Sequence, residues 1–118
     1  MHCMIFASDA RTVLDVWAML AASGHSVSAT ARTADELDGK AARTRPDLVI
    51  ADLGSGTAPD RVAAVVRMQR AGIPTVALLE ERSPLPPDVP VRAVLRKPIH
   101  KEYLSLVLAR VEEAIRDA

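Results

Sequence analysis

A chain of 118 residues, 49% hydrophobic and 25% charged, has the length and composition of one globular domain with its own apolar core. Its 15 acidic residues balance its 15 basic ones, which argues against nucleic acid as a bulk electrostatic partner, and its one cysteine, Cys3, excludes an internal disulfide and fits a reducing compartment. Residues Met1 to Asp9 lack the basic and apolar regions of a signal peptide, and no apolar run approaches the roughly 18 residues of a membrane span. The expectation is a single cytoplasmic domain over residues 1–118.

Short apolar runs alternate with amphipathic stretches, the pattern of a parallel sheet covered by helices. Cys3–Phe6 is the first predicted strand. Arg11–Ala22 follows as a helix with Val13, Trp17 and Leu20 along one stripe and Gly24 as its stop signal. In the second predicted strand, Ser26–Ala31, Val27, Ala29 and Ala31 alternate with Ser26, Ser28 and Thr30, as suits an edge strand with one wetter face. Thr33-Ala34-Asp35-Glu36 reads as a capping box opening the second helix. Leu48–Ala51 and Thr75–Leu79 are nearly all apolar, so with the first strand they are expected to be central and buried on both faces. Between them Thr57-Ala58-Pro59-Asp60 opens a third helix, with Val62, Val65, Val66 and Met68 available to pack, and Gly72-Ile73-Pro74 ends it. The segment from Glu80 to Pro90 carries Pro84, Pro86, Pro87 and Pro90, and proline removes a donor and clashes with the preceding turn, so an irregular crossover is expected in place of a helix. Ala93–Leu95 is the fifth strand, and the last helix runs from about Lys101 to Ile115 with Leu104, Val107, Leu108, Val111 and Ile115 as its buried face. The fold class is therefore α/β, a doubly wound sheet of five parallel strands with the fourth helix absent or reduced.

In open parallel sheets, sites form beyond the C-terminal ends of the strands. Ala7, Ser8 and Asp9 follow the first strand; Asp52, Leu53 and Gly54 the third; Glu80 and Glu81 the fourth; Arg96, Lys97 and Pro98 the fifth. A carboxylate and an ammonium projecting from different strand ends can meet over one pocket. Asp52 and Lys97 could hold or receive a phosphoryl group there, the carboxylate as nucleophile and the ammonium neutralising developing charge. The same spacing equally suits a structural ion pair, or an Asp that caps the following turn. His2, His25 and His100 have no metal-ligand spacing and read as surface residues. Cys3 reads as a small buried hydrophobe, Trp17 as a core anchor with docking as its other role, Tyr103 as either, and Glu80-Glu81-Arg82 as a solvated loop, with Glu80 and Glu81 leaning toward the site as the alternative.

Pro46-Asp47-Leu48-Val49-Ile50-Ala51-Asp52-Leu53 resembles the third-strand signature of bacterial response-regulator receiver domains, a flavodoxin-like fold. Arg96-Lys97-Pro98-Ile99 resembles their fifth-strand Lys-Pro motif and Val76-Ala77-Leu78-Leu79 their fourth strand, so the resemblance spans the chain. It implies Asp52 as phosphoacceptor, Lys97 as the phosphate-contacting lysine, a cis peptide bond before Pro98, and the Gly54 carbonyl as a ligand to Mg²⁺. It also implies a sensor histidine kinase or phosphotransfer protein as phosphoryl donor and a protein target for output, which is expected to go through protein contacts.

The departures from the family are specific. Ala7 and Ser8 stand where it has two adjacent metal-binding acids, and Asp9, one residue late, reads as a helix cap. Leu79 stands at the switch Ser/Thr position and Val94 at the switch aromatic. The possible metal ligands reduce to Asp52, Gly54 and Asp9, so weak or absent Mg²⁺ binding is expected. Two functions compete: a phosphorelay receiver with degenerate metal and switch positions, and a phosphorylation-independent pseudo-receiver that acts as a protein-interaction module. A small-molecule binder of flavodoxin type lacks a Gly-rich phosphate loop, and no Ser–His, Cys–His or metal cluster suggests an enzyme.

Overall fold

The computed structural model describes residues 1–54 and 58–117. Five strands and four helices alternate: β1 (His2–Phe6), α1 (Ala10–Ala22), β2 (Ser26–Ala31), α2 (Ala34–Thr44), β3 (Leu48–Gly54), α3 (Pro59–Arg70), β4 (Thr75–Leu79), β5 (Ala93–Arg96) and α4 (Lys101–Arg116). All pairings are parallel and the order is β2-β1-β3-β4-β5. The three most apolar strands are therefore the central ones, and the alternating β2 is an edge, as its pattern predicts. No helix among the described residues is long and apolar enough to cross a membrane.

Strand alternation divides the core into two layers. Met4, Phe6, Val49, Ala51, Ala77 and Leu79 face α2 and α3, where Leu37, Ala41, Ala64, Val65 and Met68 meet them. Cys3, Ile5, Ile50, Val76, Leu78 and Leu95 face α1 and α4, where Val16, Leu20, Leu104, Leu108 and Val111 meet them. Each strand thus points alternate residues into opposite cores, which is why β1, β3 and β4 read as continuous apolar runs.

Two helix faces differ from expectation. In α1 the buried stripe is Val16 and Leu20 with Val13 and Met19 beside them, and Trp17 is 45% exposed. Nearly every position of α1 is apolar, so periodicity alone could not select the buried face. In α4, Leu104, Leu108 and Val111 are buried, but Ile115, in the last turn, is 37% exposed. The caps follow the sequence more closely. Asp9 accepts from the Arg11 and Thr12 amides at the start of α1. Thr33 accepts from the Glu36 amide to open α2, but Glu36 reaches back to the Arg32 amide and so completes the box one residue early. Thr57 lies outside the described residues; α3 starts from Ala58 with Pro59 at its first turn.

The crossover from β4 to β5 contains no helix. Turns closed by Ser83 N–H to the Glu80 carbonyl and Val89 N–H to the Pro86 carbonyl carry it over the sheet, and Leu85, Val89 and Val91 pack onto the α2/α3 side of the core. This thin cover leaves Val94 on the edge strand β5 exposed.

Candidate functional site

β3 does not stop at Ala51. It runs through Asp52 to Gly54, with an irregularity between Asp52 and Gly54 where the strand pairs with Leu78 and Leu79. Asp52 shares the alternation phase of Leu48 and Ile50, so its side chain leaves the sheet on the α1/α4 side, at the strand's C-terminal end. Lys97 comes one residue after the end of β5, and β4–β5 pairing sets Arg96 beside Leu79. The Lys97 amide donates to the Leu79 carbonyl at 2.9 Å, and the Lys97–Pro98 peptide is cis.

These placements bring the two charges together. Lys97 Nζ lies 3.0 Å from Asp52 Oδ2, while Asp52 Oδ1 accepts the Gly54 amide at 3.0 Å. The Asp52 side chain is 12% exposed and that of Lys97 26%. A second acid joins them: Glu80 Oε1 stands 3.3 Å from the same ammonium. Of the two readings of Glu80, a solvated loop acid and an acid leaning toward the site, the second describes its carboxylate. It is largely exposed, but its position immediately after β4 holds its carboxylate within reach of Lys97, and the sequence carries no periodic signal for such a contact. Burial alone would pull the Lys97 pKa down; hydrogen bonds and charge from Asp52, and then from Glu80, outweigh it and the net shift is upward.

A further residue was not foreseen. Arg61, in the first turn of α3, donates from Nη1 to the Asp52 carbonyl at 2.5 Å and lies over the Phe6 ring, 4.9 Å from its centroid. It acts on the backbone of Asp52 and steadies the end of β3. The available signal was electrostatic: a cation in a helix's first turn opposes the helix dipole and calls for a tertiary partner. Arg96 likewise braces the crossover, donating to the Glu80 and Ser83 carbonyls.

Ala7 is buried between β1 and the α1/α4 layer, and Ser8 follows it, exposed, at the same end of the sheet. Asp9 is turned to its capping role: its carboxylate also accepts the Thr12 hydroxyl at 2.9 Å, and these bonds, that from the Thr12 side chain first, hold its pKa below the ordinary value. The Gly54 carbonyl accepts the Glu80 amide at 2.8 Å, and Gly54 itself has φ of +59°. Leu79 is fully buried on the α2/α3 side, and Val94 is exposed.

This donor set does not fit Mg²⁺, which needs several oxygen ligands around one point. The two carboxylates at hand, Asp52 and Glu80, are both paired to the Lys97 ammonium. Among the described residues no three His, Cys, Asp or Glu side chains are grouped so as to hold a metal ion. Asp52 and Lys97 instead form a compact, hydrogen-bonded charge pair with Glu80 at its rim.

No protein-family model and no curated protein matches the chain. Solved structures do. The signal receiver domain of a modulated diguanylate cyclase from Desulfovibrio desulfuricans superposes with a TM-score of 0.83 at 16% identity, over 98% of this chain and 95% of that one. The N-terminal domain of a response regulator/sensory box/GGDEF three-domain protein from Carboxydothermus hydrogenoformans gives 0.84 at 17% identity, over 99% and 98%. The receiver domain of the response regulator PhyR from Erythrobacter litoralis gives 0.78 at 18% identity, over 93% and 88%. The fold is that of signal-receiver domains, as the sequence resemblance implied.

Proposed function

We propose that this chain is a regulatory signal-receiver domain that works by protein contact and is held in one state, without a phosphoryl switch at Asp52. The observation that carries the reading is a site whose one ammonium is already taken up by two carboxylates. Lys97 and the Gly54 amide engage both oxygens of Asp52, Glu80 adds a second negative charge beside the ammonium, and the positions of the expected acid pair hold Ala7 and Ser8. A phosphoryl group arriving at Asp52 would bring more negative charge to a place where Lys97 is already shared between two carboxylates.

The read-out is weakened in the same way. A ligand shifts an equilibrium only by its differential interaction with the two states. Leu79 has no hydroxyl to bond a phosphoryl oxygen and is locked into the core, and Val94 has no ring to re-bury. On this reading the partner is a protein target that recognises the folded surface itself.

One observation favours a second reading, the phosphorelay receiver: the carboxylate and the ammonium of the nucleophile–cation pair stand 3.0 Å apart. Asp52 would then attack the phosphorus of a phosphohistidine on a sensor kinase or phosphotransfer protein. The new bond is O–P, the P–N bond breaks, and the departing imidazole keeps its electron pair.

Intact-mass measurement after incubation with acetyl phosphate and Mg²⁺ separates the two. The expected result is a wild type that, like Asp52→Ala, gains no phosphoryl mass. A stoichiometric, hydrolytically labile phosphoryl adduct present in the wild type and lost in Asp52→Ala would overturn the one-state reading.

A further inference from the structure

The backbone of Glu80 is fixed from both sides. Its amide donates to the Gly54 carbonyl at 2.8 Å, and its carbonyl accepts from the Ser83 amide at 3.1 Å and from Arg96 Nη1 at 3.3 Å. Arg96 Nη1 donates to the Ser83 carbonyl as well. The first turn of the β4–β5 crossover is thereby pinned to the end of β3 and to the end of β5, and it carries the Glu80 carboxylate to 3.3 Å from Lys97 Nζ. Glu81, the next residue, is exposed, and among the described residues it enters no salt bridge.

The charges around the ammonium leave nothing over for a ligand. Lys97 Nζ serves Asp52 Oδ2 at 3.0 Å and Glu80 Oε1 at 3.3 Å. The guanidiniums nearby are spent on backbone: Arg61 donates to the Asp52 carbonyl, and Arg96 to the two crossover carbonyls. An anion entering beside Asp52 must therefore take the ammonium from Glu80, and the displaced carboxylate, still tied down by its backbone, stays close enough to repel it. The contact adds little to stability, because Glu80 is 58% exposed and solvent screens the pair. Its effect falls on what else can reach Lys97.

We propose that Glu80 is an autoinhibitory latch: carried on the helix-free crossover, its carboxylate occupies Lys97 and keeps a small oxyanion of the phosphate class from settling beside Asp52. The inference rests on the one-state reading and assigns its enforcement to one side chain. The crossover is then more than a cover for the sheet, since its first turn delivers the group that closes the site.

The test uses the full chain, isotope-labelled, titrated with inorganic phosphate near neutral pH at constant ionic strength, so that screening is the same throughout. The Gly54 and Lys97 amides should shift at about fivefold lower phosphate in Glu80→Gln and in Glu80→Ala than in the wild type, the factor that loss of an exposed pair worth about 1 kcal/mol gives. Glu81→Gln removes the same charge one residue along and should titrate as the wild type does. Adding Lys97→Met to Glu80→Gln should abolish the gain. Both Glu80 variants should unfold at the wild-type urea concentration, which separates an opened site from a loosened fold. An unchanged titration in both Glu80 variants, an equal gain in Glu81→Gln, a gain that survives Lys97→Met, or a gain that comes only with unfolding at lower urea would overturn the proposal. A wild-type adduct with acetyl phosphate overturns the one-state reading even where Glu80→Gln binds phosphate more tightly, whereas a wild type without an adduct whose Glu80 variants gain nothing keeps that reading and loses the latch.

Discussion

Replacing Lys97 by methionine keeps the apolar stem of the side chain and removes its charge from between Asp52 and Glu80. Glu80, 58% exposed, lies in a setting where solvent screens most of an ion pair, so its share of the loss is small. The Asp52 contact is different: both side chains are largely covered and the N–O distance is 3.0 Å. A hydrogen bond to a charged group is worth about 1.5–3 kcal/mol, and the residual exposure of Lys97 sets the value at the lower end. Lys97→Met should therefore cost about 1.5 kcal/mol. Asp52→Asn should cost less, because the amide oxygen still accepts from Gly54 N–H. The double variant should show a coupling of about 1 kcal/mol in a cycle of urea unfolding curves at neutral pH. The pH dependence has a definite sign. Lys97 has a folded pKa above its ordinary 10.5, so its contribution is complete below pH 10.5 and is lost as pH rises through the folded value. The wild type should lose stability relative to Lys97→Met above pH 10.5. A coupling below about 0.3 kcal/mol, the additivity expected of independent sites, with parallel pH profiles, would refute the pairing and with it the occupied site.

Leu79→Thr, which restores a hydroxyl at the switch position, should destabilise the fold by about 2–3 kcal/mol in urea unfolding, since it removes buried methyl groups and strands a hydroxyl in the core; it should not create a phosphoryl response at Asp52. Cys3 is fully buried and its thiol pKa is pushed up to about 11, chiefly by that burial. Ellman's reagent at pH 8 should leave it unmodified in the native protein and react promptly in urea, and a fast native reaction would contradict the packing of β1. Trp17→Ala should change stability by no more than about 0.5 kcal/mol, the usual range for a surface position, and iodide should quench Trp17 emission readily; a large loss would show that α1 packs on its other face.

The strand and helix order, the parallel sheet, the edge position of β2 and the absence of a helix before β5 were all legible from residue patterns. Alternation, continuous apolar runs and four prolines between Glu80 and Pro90 are local signals, and backbone sterics act on them locally. The sequence also showed that Asp52 and Lys97 end strands at the same edge, because a parallel sheet sends every strand's C-terminus to one side. What it could not supply was contact between elements distant along the chain. Trp17 is apolar and lies outside, since α1 offers several apolar faces and only the packing of Val16 and Leu20 on the sheet selects one. Glu80 belongs to the Lys97 cluster, and Arg61 braces the Asp52 carbonyl, because β4, β5 and α3 converge there. Burial and charge pairing depend on which surfaces meet, and the folded chain alone decides that.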